Sequence, residues 1–204
     1  MKSFSPICLI LALIIFPILK PLHAQHLVCE AFWQKQDSLF ASPGSPLSAS
    51  DRSGFEKLER FACSSDWIIT AHYESIMGEK PIYISTSTRE TRRMQRVGVL
   101  RFERDEMEHS LSVYKDLTMA RMKGESKNLF LPFTDLSNGE ESYGGGRYLD
   151  LSSDEIFGDS LELDFNRAYN PWCVYSDSYS CPIPPDDNHL KIRVEAGAKM
   201  PGKL

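Results

Sequence analysis

From Trp67 onward the apolar residues recur at every second position, and this period of two constrains the fold more than any other feature. Trp67, Ile69, Ala71 and Tyr73 fall on one face of an expected strand over 67–73. The same rhythm runs through 81–86, where Pro81 stands at the start and its missing N–H is tolerated. It returns in 95–103, with Gly98 a candidate bulge, and in 108–114. Further short runs at 129–133, 147–151, 161–165 and 189–195 bring the expected strands to eight; in the last, Leu190, Ile192 and Val194 point inward. Hairpin-length links and the lack of a strand–helix–strand rhythm predict a mainly β protein, an antiparallel sandwich or partly open barrel.

Before the strands come one or two short helices. Phe32, Trp33, Gln36, Leu39 and Phe40 follow helical spacing within 30–40, giving a stripe that docks on a sheet. The run Ser42-Pro43-Gly44-Ser45-Pro46 stops that helix, and serines after it offer caps for a second one reaching Leu58. Met119 to Asn128 is polar and reads as loop.

Residues 1–24 have the layout of an export signal: Lys2, an apolar run from Ile7 to Ile18, and the small residue Ala24. The run falls short of the roughly 20 residues of a membrane span. The expected product is a periplasmic or secreted chain starting near Gln25, with residues 25–204 as a single domain and no later membrane span. Without the leader's Lys2 and Lys20, 21 of the 23 Lys and Arg remain against 28 Asp and Glu, a net charge of −7. That balance argues against a nucleic-acid partner, and Arg89, Arg92, Arg93 and Arg96 read as a solvated edge.

Four cysteines lie outside the leader: Cys29, Cys63, Cys173 and Cys181. An even count in an oxidising compartment predicts disulfides. Local pairing of Cys173 with Cys181 leaves Cys29 with Cys63. His189 follows Cys181, but the spacing of the last two cysteines is not a usual zinc spacing, so no metal or other cofactor is expected.

The chemistry-bearing side chains concentrate between Leu129 and Pro185. Gly144-Gly145-Gly146 permits close backbone approach, and Arg147 follows directly, a plausible seat for a carboxylate or phosphate. The competing reading is a tight crossing, with Arg147 paired to Asp150 or Asp164. Tyr148 and Tyr169 add aromatic faces, and Asn166 and Asn170 can bind ligand or pin irregular chain. Among the acids, Asp135 has the setting of a turn former, while Glu140, Asp150 and Asp164 are candidates for general acid–base work.

Several runs here carry a family resemblance: Leu131-Pro132-Phe133 with Asp135, Tyr143 to Asp150, Leu163 to Asn166 with Ala168 to Pro171, and Cys173 with Tyr175, Cys181 and Pro182. They resemble the signature of the family known as domain of unknown function 1684, and the resemblance covers most of the chain after the leader. It implies membership and no activity. Cys29 and Cys63 look like additions to the shared pattern, which supports pairing them with each other.

Three functions compete. One is a binding module for a small anionic or carbohydrate ligand around Gly144, Gly145, Gly146, Arg147, Tyr148, Asn166, Tyr169 and Asn170. Another is a hydrolase pairing Glu140 with a second carboxylate, and the third is a structural or interaction protein of the cell envelope. The familiar serine and metallopeptidase motifs are missing, which favours binding.

Overall fold

The computed structural model describes residues 22–118 and 127–202. The expected export signal, residues 1–24, therefore lies almost wholly outside the described residues, as does most of the polar stretch after Met119. Helix α1 (Leu22–Phe40) and the short helix α2 (Ala49–Ser53) precede seven strands: β1 (Ile68–Ser75), β2 (Ile82–Ser85), β3 (Thr91–Arg104), β4 (Met107–Asp116), β5 (Asn128–Phe133), β6 (Arg147–Ser152) and β7 (Ser160–Asp164). They form one antiparallel sheet in the order β6-β5-β4-β3-β1-β7, with β2 added to β3, and it curls into a half-barrel. Among the described helices none is long and apolar enough to cross a membrane.

Local chemistry explains the curl. Strands β3 and β4 join through Asp105 and Glu106, both at positive φ (53° and 60°), the backbone of a tight hairpin whose twist matches that of the strands. The register of β3 shifts between Arg96 and Gly98, the expected bulge. A Cβ on Gly98 would lie 2.3 Å from the Tyr73 ring, so only glycine lets that ring lie across the strand. Tyr73 in turn donates to the Val97 carbonyl at 2.9 Å.

The half-barrel wraps Leu100, Leu111, Val113, Leu131, Phe133, Leu149, Leu163 and Phe165. Its open side is filled by Leu190, Ile192, Val194 and Ala196 from the last segment. Their inward alternation is as expected, yet 189–195 is not a strand. The reason is that its backbone partners change every few residues. Leu190 N–H donates to Thr134 O at 2.8 Å, Ile192 O accepts from Leu136 N, and Val194 N–H donates to the Asp135 side chain at 3.2 Å. Beyond it, Gly197 O and Lys199 N–H bond Phe61 N–H and Glu59 O. A ladder never accumulates.

The second helix is shorter than expected: Ser48 caps it by accepting from Asp51 N–H at 3.1 Å, but Gly54 ends it. Helix α1 docks through Cys29, Trp33 and Phe40 on Leu47, Leu58 and Ala198. Trp33 Nε1 donates to Asn166 O at 3.0 Å, and the Cys29–Cys63 disulfide ties the helix to the segment before β1.

Where β4 and β5 pair only at Tyr114 and Phe130, a side chain takes over the role of a neighbouring strand. Asn188 Oδ1 accepts from Ser112 N–H at 2.8 Å, while Nδ2 donates to Ser112 O at 2.9 Å and Pro132 O at 2.7 Å. One amide thus stitches the gap in the sheet.

Candidate functional site

The period of two on β6 separates its groups. Arg147, Leu149 and Leu151 face the core, so Tyr148 and Asp150 face the other way. Arg147 is completely buried. Its Nη2 donates to Asp135 Oδ2 at 2.8 Å and to Val194 O at 2.9 Å; its Nη1 bonds Ala196 O and, at 3.2 Å, Ala198 O. Burial lowers the guanidinium's affinity for its proton and Asp135 opposes that, while arginine's high intrinsic pKa keeps it charged. The structure therefore places Arg147 as an internal strut that gathers three alternate carbonyls of the last segment. Its partner is Asp135, not Asp150 or Asp164.

The other nominated residues divide. Gly146 makes the tight crossing at φ +90°, where a Cβ would meet Phe133 O at 2.5 Å. Gly144 and Gly145 instead line an open cleft of about 440 Å³ with Thr134, Pro184, Asp186 and His189. Glu140 and Glu141 both bind Arg193 on the surface rather than facing each other or a third acid across a cleft. Tyr148 is buried, and its hydroxyl bonds Pro182 O. Asn166 is a pin: it accepts from Ser64 N–H at 2.8 Å and donates to Ser64 O and to Asp164 Oδ1, each at 2.8 Å. Asp164 serves that turn, and burial raises its pKa against the pull of the Asn166 hydrogen bonds. Asn170 donates to Lys199 O at 2.7 Å and to the Tyr175 hydroxyl.

Asp150 and Tyr169 do meet, in a second cleft of about 230 Å³ between α1 and the sheet. Phe32, Gln36 and Leu39 form one wall; Asp150, Arg167, Tyr169 and Trp172 form the other. Residues 148 and 169 exchange two backbone hydrogen bonds of 2.9 Å, which fixes Tyr169 beside β6. The Tyr169 hydroxyl hydrogen-bonds the Asp150 carboxylate, and burial, followed by that acid's charge, holds the phenol well above its usual pKa. Desolvation by the surrounding chain also pushes the Asp150 carboxyl up, against the pull of the Tyr169 bond and the Arg167 charge. Water still reaches Asp150, so this upward shift is partly screened. Arg167 lies over the Phe32 ring at 5.7 Å and 3.6 Å from Glu155.

Sequence reasoning nominated Asp150 and Tyr169 but missed Arg167 and the α1 wall. The signal was present: Phe32, Gln36 and Leu39 sit at i, i+4 and i+7, a stripe beside the buried Cys29, Trp33 and Phe40.

Cys173 and Cys181 are not bonded to each other, contrary to expectation; both are free thiols, and Cys173 N–H donates to Cys181 Sγ at 3.2 Å. The Cys181 sulfur is occupied as a hydrogen-bond acceptor rather than as half of a bridge. His26, Glu30 and Cys63 bring ligand atoms within 4.8 Å of one another, but the Cys63 sulfur is already committed to Cys29, which removes the thiolate a metal would need.

The comparisons with known proteins agree with this fold. The uncharacterised protein from gene locus rrnAC0354 of Haloarcula marismortui, solved in solution by NMR, is 32% identical, with 87% of this chain and 95% of that one covered and a TM-score of 0.68. No curated protein matches. A family model described as protein of unknown function (DUF1684) matches residues 53–199. The motifs between Leu131 and Pro182 that carried the resemblance fall inside that match, and the chain belongs to the DUF1684 family.

Proposed function

We propose that this protein is a binding module for a small polar ligand of carbohydrate type, held in the cleft between α1 and the Asp150–Tyr169 pair. The observation that carries it is the composition of one cavity: a carboxylate, a guanidinium and a primary amide beside the rings of Phe32 and Trp172. Hydroxyl groups need both donors and acceptors, and the weakly polar face of a sugar ring packs on aromatic carbon. The volume of about 230 Å³ lies below the roughly 300–1,000 Å³ of drug-sized sites, so the ligand is of monosaccharide size. Asp150 disfavours a purely anionic ligand, which now also lacks Arg147. Asp150 is the only carboxylate among the described residues lining this cleft, so paired-acid hydrolysis gains no support from it.

Saturation-transfer NMR against neutral, amino and acidic monosaccharides tests the reading. A neutral sugar should give a signal that Asp150→Ala and Trp172→Ala abolish while circular dichroism stays unchanged. Signals that survive both substitutions, or none from any sugar, would remove the assignment.

Export is part of the same proposal. It is supported by the layout of residues 1–24 and by the Cys29–Cys63 bond, a linkage that persists in oxidising compartments. Intact-mass measurement on the native protein should find a chain starting near Gln25; a soluble chain retaining Met1 would overturn it.

A further inference from the structure

Cys173 and Cys181 touch, yet they belong to different parts of the molecule. Cys173 sits in the helical turn Trp172–Val174, directly after a residue of the cleft wall. Cys181 is anchored to the sheet side: its N–H donates to Ser87 Oγ at 3.2 Å, its carbonyl accepts from Ser87 N–H at 2.9 Å, and the next carbonyl holds the Tyr148 hydroxyl. The Cys173 N–H lies 3.2 Å from Cys181 Sγ, and the two thiols are themselves in hydrogen-bond contact. Cys173 is partly open to solvent, whereas Cys181 is buried. One thiol rides on the cleft wall; the other is fixed.

We propose that Cys173 and Cys181 form a reversible dithiol–disulfide couple, oxidised by exchange with a small disulfide of the glutathione class, and that closing it ties the Trp172 turn to the sheet. Cys173, the accessible thiol, attacks as thiolate and breaks the oxidant's sulfur–sulfur bond, releasing one small thiol. Cys181 then loses its proton and attacks Cys173 Sγ, which expels the second small thiol. Two electrons pass from the protein pair to the oxidant, and the two cysteine protons end on the two released thiols. Burial pushes the Cys181 thiol up to about 12, which suits the resolving partner rather than the first attacker. Cys29–Cys63 differs in kind, because it is already closed and joins α1 to the chain before β1.

Trp172 lines the cleft, so fixing its turn bears on ligand affinity, and that part rests on the cleft reading above; the couple itself does not. The full chain is equilibrated in buffers of reduced and oxidised glutathione, trapped by alkylation and mapped without reduction. Two alkylated thiols at Cys173 and Cys181 are expected in the reducing buffers, and one intramolecular link, lighter by two hydrogens, in the oxidising ones. Cys29–Cys63 should stay linked throughout. Closure should change tryptophan fluorescence in the wild type and not in Trp172→Phe or Cys173→Ser. Thiols that persist at the most oxidising ratio, a stable glutathione adduct on Cys173, or a link as hard to reduce as Cys29–Cys63 would each overturn the couple. A link without the fluorescence change would overturn the tie to Trp172. Neither readout needs a sugar, so failure here and failure of the ligand assay are distinct.

Discussion

Arg147 Nη2 and Asp135 Oδ2 lie 2.8 Å apart with both side chains fully removed from solvent. The pair does more than neutralise itself. Asp135 Oδ1 accepts from Ser137 N–H at 2.8 Å and from Val194 N–H, while Arg147 takes the carbonyls of Val194, Ala196 and Ala198. Turn, strand and last segment are therefore joined at two side chains.

Removing one partner strands a buried charge. Arg147→Ala should cost about 3–5 kcal/mol, and Arg147→Lys should also lose stability because an ammonium cannot replace the planar fork. Urea melts of both variants check this. An Arg147→Ala protein within about 1 kcal/mol of wild type would show that the pair is dispensable.

The glycine run makes a sharper contrast. Gly146→Ala puts a side chain at φ +90° and 2.5 Å from Phe133 O, so it should cost more than the roughly 1–3 kcal/mol of strain alone. At Gly144 the nearest atom to a new Cβ is 3.7 Å away, and Ala should be tolerated. Paired thermal melts decide, and equal losses would contradict the crossing geometry.

Asn188→Ala leaves Ser112 N–H, Ser112 O and Pro132 O without their partner, at about 1–3 kcal/mol per buried group. Hydrogen exchange should show the Ser112 amide losing protection before the other amides of the β3–β4 hairpin. Unchanged protection at Ser112 would mean that water or a neighbouring strand substitutes.

Asp150 gives a pH signature. Its folded pKa lies above the ordinary 3.8, so the folded state holds this proton more tightly than the unfolded chain. Its contribution is greatest below that ordinary value and is lost as pH rises through the folded pKa. Asp150→Asn should melt higher than wild type near neutral pH, with the difference fading in acid. Melting curves across that range check the sign; a deficit at neutral pH would reverse it.

Much of the fold was legible because burial on one face writes itself as alternation. Seven of the eight expected strands exist, and the bulge at Gly98 is where the glycine stood. The eighth failed because alternating burial of Leu190, Ile192 and Val194 does not require a ladder; Asp135 and Arg147 satisfy part of that backbone instead. Arg147 was legible in part. Positions 147 and 150 on one strand face opposite sides, which already excluded Asp150 as its partner, but nothing local pointed to Asp135. The cleft was hidden for a different reason: Gln36 and Arg167 are far apart in sequence and carry no shared motif.

The way the last segment seals the half-barrel also sets the order of events in folding. Residues 188–199 bond partners as distant as Ser112 and Glu59, whereas β3 and β4 meet across a two-residue turn. Nearby contacts form first, since closing a long loop costs entropy before it returns anything. The hairpin is thus the natural nucleus, and the sealing segment arrives last. Time-resolved refolding should show the central amides protected while Leu190 and Val194 still exchange, and unfolding should begin where folding ended, at the plug.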